Sequence, residues 1–353
     1  MEIFFTIFIF LRIRLINFVL PIKKSKGLSR KKKGSNLIYF GPGVHNLPND
    51  TLFVPSGTTV YIDGGARVYG NIFTEGAHDV NIFGRGEVHP DGRGAGVWVR
   101  RSKNVRIDGI VVSQLPIGQC DSVELTNVKS ISYYGWGDGM DVFSSSNVIL
   151  DGVFCRNSDD CAAVYASTQG FKGGSNNVLV KNATLWADVA HPINIGGHGD
   201  PNGMDTVQNV TFRNIDILDQ AEKQIDYQGC LAINPGDNTL VRNITFENIR
   251  IEDFRNGQLV NFRISFNPKY CVSTGRGIQN VLVKDVTYNG SGENLSIIAG
   301  YDENHKISGI RFVNLVVNGR KITDDMPGKP KWYKTGDMAG IFVGEHVENL
   351  SFE

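Results

Sequence analysis

The chain has 353 residues, enough for one large domain with a sizeable core, and its 36 Lys and Arg balance its 36 Asp and Glu. Zero net charge excludes a nucleic-acid binder held by bulk charge, and 41 glycines imply many turns. The five cysteines (Cys120, Cys155, Cys161, Cys230 and Cys271) are odd in number and scattered, so they read as small buried hydrophobes. A single bridge such as Cys155 to Cys161 is left open.

The first 35 residues combine an apolar run, broken by Arg12 and Arg14, with a basic run ending at Lys33. A secretory signal has the reverse order, and the uninterrupted apolar stretch is too short for a stable membrane span. The segment is expected to lie outside the fold, as a degenerate export signal, a membrane-surface anchor or residues upstream of the true start. Residues 36–353 form the predicted catalytic domain.

From Ser35 onward one pattern recurs: "DVNIFGRGEV" from Asp79, "NVRIDGIVV" from Asn104, "SVELTNVKSI" from Ser122 and "NVILDGVFC" from Asn147. It continues in "NVLVKNATLW" from Asn177, "NVTFRNIDIL" from Asn209, "NITFENIRIE" from Asn243, "NVLVKDVTY" from Asn280, "GIRFVNLVV" from Gly309 and the final "NLSFE". Alternation with period 2 predicts short strands, and no long helical period competes. Units recurring at roughly 20–40 residues with loops of uneven length predict an all-β, right-handed parallel β-helix. Asn104, Asn147, Asn177, Asn209, Asn243 and Asn280, which open their repeats, are assigned to corners, where a polar side chain tolerates left-handed backbone.

The segment "GDGMDVFSSSNVILDGVFCRNSDDC" carries more carboxylates than corners require. Asp138 and Asp159 are 21 positions apart, close to one coil, so Asp138, Asp159 and Asp160 are expected to converge on one outer face. His191, in "ADVAHPINIGGHGD", is expected to join them one longer coil on, with His198 the weaker alternative. Asp141 and Asp151 are read as corner residues. Trp136, Tyr165, Trp186 and Arg263 are candidates for binding sugar rings by rung order, or else packing between loops.

"GDGMDVFSSSNV" followed by "NSDDCAAV" and "HPINIGG" resembles the polygalacturonases of glycoside hydrolase family 28. Asp138 takes the aspartate of the family's Asn-Thr-Asp-Gly motif, although Trp136 and Gly137 replace its first two residues. Asp159, Asp160 and Cys161 match Asp-Asp-Cys, and His191 the histidine. The resemblance implies an inverting hydrolase of pectin-type polysaccharide, with Asp159 as acid and Asp138 and Asp160 activating water. It departs where Ala232, Ile233 and Asn234 replace an Arg-Ile-Lys that grips the sugar carboxylate. "ATLWADVAHPINIGGH" and "VVNGRKITDD" also look like the family 49 dextranases, which act on neutral α-glucans. A calcium-dependent lyase and a non-catalytic adhesin are the remaining alternatives. No cofactor or metal is expected, and a secreted or periplasmic monomer acting on a polysaccharide is.

Overall fold

The structure, a computed structural model, describes residues 36–292 and 294–353. The expectation for the first 35 residues lies outside them. From Leu37 the chain winds into a parallel β-helix, every coil pairing in parallel with the next; among the described residues the one antiparallel strand pair joins Ile307–Val317 to Arg320–Ile322. The right-handed sense is the one that parallel crossovers adopt. Helix is confined to one four-residue turn, Thr335–Met338, and a 3-10 turn, Ile225–Tyr227, among the described residues.

The sequence repeats lie on top of one another. Val80, Val105, Val123, Val148, Val178, Val210, Ile244, Val281, Ile310 and Leu350 form a single ladder, each in register with the next. Two positions later a second ladder ends in larger side chains, Phe212, Phe246, Val283, Phe312 and Phe352. Both face the axis because alternate residues of a strand point the same way, and each buried aliphatic or aromatic side chain contributes about 1.5–3 kcal/mol. Phe262 enters from the opposite wall between Phe246 and Phe312, with ring centroids 6.0 and 6.5 Å away.

The corner asparagines behave as expected. Asn104, Asn147, Asn177, Asn209, Asn243 and Asn280 all have φ between 53° and 58°. Asn147 donates to Asp121 at 2.7 Å, Asn177 to Asn147 at 2.7 Å, and Asn243 to Asn209 at 3.1 Å. Asp151 is likewise a corner residue, accepting from Asn182 at 2.7 Å and pairing with Lys181. The five cysteines are all unbridged and buried, so the Cys155–Cys161 bridge is not formed. Among the described residues no helix is long and apolar enough to cross a membrane.

Candidate active site

One stack of short strands builds the site: Met140–Phe143, Ala162–Tyr165, Ile193–Ile195, Leu231–Ile233, Val260–Arg263, Ser296–Ala299 and Ile341–Val343. Their inward residues are apolar except Ser296, and the turns that lead into the first three strands carry Asp138, Asp159–Asp160 and His191. Backbone bonds tie these turns together. Gly139 N–H donates to the Asp160 carbonyl at 2.7 Å, and Cys161 N–H to the His191 carbonyl at 2.8 Å. Buried Asn157 braces the first turn, donating to the Asp138 carbonyl and to the hydroxyls of Ser130 and Ser132, each at 3.0 Å.

Carboxylate oxygens of Asp138, Asp159 and Asp160 lie within 4.8 Å of one another. This is closer than the roughly 6.5–9.5 Å of most inverting pairs, so separation alone does not assign the stereochemistry. Asp160 is 5% exposed and saturated with donors. His191 approaches one oxygen through Nδ1 at 2.7 Å and backbone N–H at 3.1 Å; Asn194 and the Tyr165 hydroxyl reach the other at 2.8 and 2.6 Å. Since a carboxylate only accepts, His191 carries its proton on Nδ1. These oxygens could face a divalent ion, but Asp160's are already committed to four donors.

The same contacts separate the acids electrically. Burial pushes Asp160 up, but the His191 charge and the hydrogen bonds from His191, Tyr165 and Asn194 outweigh it and hold its pKa at about 2. Asp159, half-buried and facing the Asp160 charge, is raised to about 7 by desolvation and then by that charge. Asp138 is raised well above the ordinary carboxylate range by burial, then by the charges of Asp159 and Asp160. For His191 burial favours the neutral ring, but the attraction and hydrogen bond of Asp160, with help from Glu222, leave the pKa raised.

The ring-binding candidates disperse. Trp136, on the turn of Asp138, is 77% exposed, with the Arg93 guanidinium 5.9 Å from its ring centre. Tyr165 does not face solvent: its ring packs among Phe143, Ala163 and Phe171, and its hydroxyl serves Asp160. His198 meets the Tyr165 ring edge-on at 5.1 Å, and burial lowers its pKa. Trp186 has one face covered by Arg156 at 4.3 Å, and Arg156 is in turn paired with Asp188. Arg263 extends the line of Asn234 by one coil but is paired with Asp226 at 2.6 Å.

Three residues were missed. Asp141 is not a corner residue; it is buried, with one oxygen unpartnered, and burial and the neighbouring Asp138 raise its pKa. Alternation with inward Met140 and Val142 could have placed it on the outer face of the site strands. Asn194 had the same signal between Ile193 and Ile195. Glu222, buried on a loop, had none; an antiparallel bridge between Ala221 and Ala190 brings it beside His191.

A polygalacturonase from Juniperus ashei is 26% identical over 216 residues, 59% of this chain and 39% of its own length; the chain spans about half the length of such relatives. The fold is shared with the family 28 exopolygalacturonase of Yersinia enterocolitica (TM-score 0.63, 13% identity, 90% of this chain and 73% of that one). It is also shared with Dex49A from Penicillium minioluteum (TM-score 0.61, 14% identity, 92% and 65%). Fold alone therefore does not separate the two groups. The family model for glycosyl hydrolases family 28 matches residues 95–326, which takes in all the turns bearing the acids and histidine, and on that match the chain belongs to glycosyl hydrolases family 28.

Proposed function

We propose that the protein is an inverting glycoside hydrolase that cleaves α-glycosidic bonds in a pectin-type galacturonate polysaccharide. The observation that carries this reading is the unequal surroundings of two adjacent acids: four donors bind Asp160 and hold it as the anion, while Asp159, close to that charge, is raised to about 7 and holds a proton near neutral pH. Asp159 protonates the departing glycosidic oxygen. Asp138 and Asp160 flank the attacking water and take up its proton; an acceptor must be ionised, and of the two Asp160 is the one its surroundings hold as the anion. His191, Asn194 and Tyr165 keep Asp160 ionised and aimed. Inversion is inferred from family membership, and a polymeric substrate favours a secreted or periplasmic enzyme.

Release of reducing ends from polygalacturonate, rhamnogalacturonan and dextran, with NMR of the first anomer formed, tests the reading. Cleavage of polygalacturonate or rhamnogalacturonan with inversion is expected. Ala232 and Asn234, uncharged where the family resemblance implies cations, favour a second reading, a neutral α-glucan; cleavage of dextran alone would establish it. Unsaturated products with a calcium requirement would mark a lyase.

A further inference from the structure

On the outer face of the site strands past the acids, the amides of Asn194 and Asn234 offer acceptors and have spent their donors. Asn194 must turn its Nδ2 to Asp160, which only accepts. Asn261 turns its Nδ2 to Gln258 and to the Ile225 carbonyl, and Asn234 its Nδ2 to Asn261 and the Arg263 carbonyl. The amide orientations are thus fixed by groups that cannot donate, leaving buried Asn194 Oδ1 and Asn234 Oδ1 without partners. A sugar carboxylate laid here would meet oxygens, and an unpaired buried charge is strongly unfavourable. Arg263 already pairs with Asp226 through Nη1.

One lysine is held beside this face with no ion pair among the described residues. Residues 222–228 pack against it: the Ile225 carbonyl accepts from Asn261, and Asp226 pairs with Arg263. Lys269, on the loop between Val260–Arg263 and Gly277–Tyr288, is exposed and donates to Gln224 Oε1 at 3.1 Å. Its ammonium lies 4.7 Å from the centre of the Tyr270 ring, and Tyr270 is itself bonded to Gln224. Gln224 is anchored in turn through its backbone N–H to Glu222, at 2.7 Å. The ammonium's pKa is raised, by Tyr270 first and further by the charges of Glu222 and Asp159, so it shares the field of the acids. Lys223, the other lysine of this rim, has no such anchoring contact.

We propose that Lys269 receives the carboxylate of a galacturonate unit lying across the Ala232–Asn234 rung, so that the cation for an acidic sugar comes from a loop above the groove rather than from its floor. This rests on the galacturonate reading above. The test is calorimetric titration of trigalacturonate and its methyl ester into the full chain carrying Asp159→Asn, which prevents turnover. Lys269→Ala on that background is expected to weaken trigalacturonate binding at least about tenfold, with a shallower salt dependence, and to leave the methyl ester unaffected. Equal affinity with and without Lys269→Ala, a loss confined to Arg263→Ala, or no trigalacturonate binding at all would overturn the proposal. The hydrolase reading fails separately, if the unsubstituted protein cleaves no pectin polymer. Unchanged circular dichroism of the variants excludes misfolding as the cause.

Discussion

At the scale of single residues, Asp159 and Asp151 are an instructive pair, since both are aspartates of the same short segment. Asp159→Asn removes the proposed proton donor, and kcat should fall at least about a hundredfold. Asp151→Asn removes only an acceptor at a corner, already partnered by Asn182 and Lys181, and kcat should stay within about twofold, a surface-scale effect. Equal losses in a reducing-sugar assay would mean that the acids serve folding only. Activity should also fail as pH rises through about 7, where Asp159 gives up the proton it must deliver. A pH–rate profile with no alkaline limb between about 6 and 8 would contradict that role. Tyr165→Phe deletes a donor to Asp160 and should raise that group's pKa, with loss of activity even though the ring is sealed from the groove.

The strand and turn scale decides whether the acids meet at all. A Cβ on Gly139 would lie 2.2 Å from the Cys161 carbonyl and 2.6 Å from Asn157 Oδ1, at the joint between the turns of Asp138 and Asp160. Gly139→Ala should therefore lower the melting temperature and cut kcat by about a hundredfold, the usual cost of a misplacement near 1 Å. Away from the site, Asn209 has φ of 56°, donates to Asn176 at 2.8 Å and accepts from Asn243 at 3.1 Å. Asn209→Ala loses the bonds and strains the backbone, costing about 1–3 kcal/mol, whereas Asn209→Gly keeps the conformation and should cost less. Chemical denaturation of the two variants checks the order.

For the whole molecule, stability comes from the axial core and is opposed by the site. Phe246 touches Phe212 and Phe262 at centroid distances of 5.8 and 6.0 Å, and Phe246→Ala should cost about 3–5 kcal/mol, with activity retained at temperatures where the fold survives. Asp159 acts in the other direction. Its pKa is raised on folding from the usual 3.8 to about 7, so the native state binds the proton more tightly than the unfolded chain. Its favourable contribution is full below about pH 4 and is lost as pH rises through 7; Asp138 and Asp141 have the same sign. Asp160 is opposite, stabilising above the ordinary carboxylate pKa and losing that effect as pH falls through about 2. Asp159→Asn should accordingly raise the melting temperature more at pH 8 than at pH 4, and thermal unfolding at the two pH values measures it.

The fold was legible in the sequence because it repeats a local rule. Each coil buries alternate residues and turns at an asparagine that accepts left-handed backbone, so the ladder from Val80 to Leu350 could be anticipated without any long-range information. The near-coil spacing of Asp138 and Asp159, and the motif around His191, likewise anticipated that these side chains cluster. What only the tertiary structure decided depends on neighbours from other coils and loops. Asp141 looked like a corner residue until its oxygen was found buried and unpartnered. Rung order makes Tyr165 and Arg263 candidates for binding sugar rings, but the Tyr165 hydroxyl lies on Asp160 and Arg263 pairs with Asp226. Burial and charge pairing are properties of the space around a side chain, and residues tens of positions apart, such as Arg263 and Asp226, fill that space.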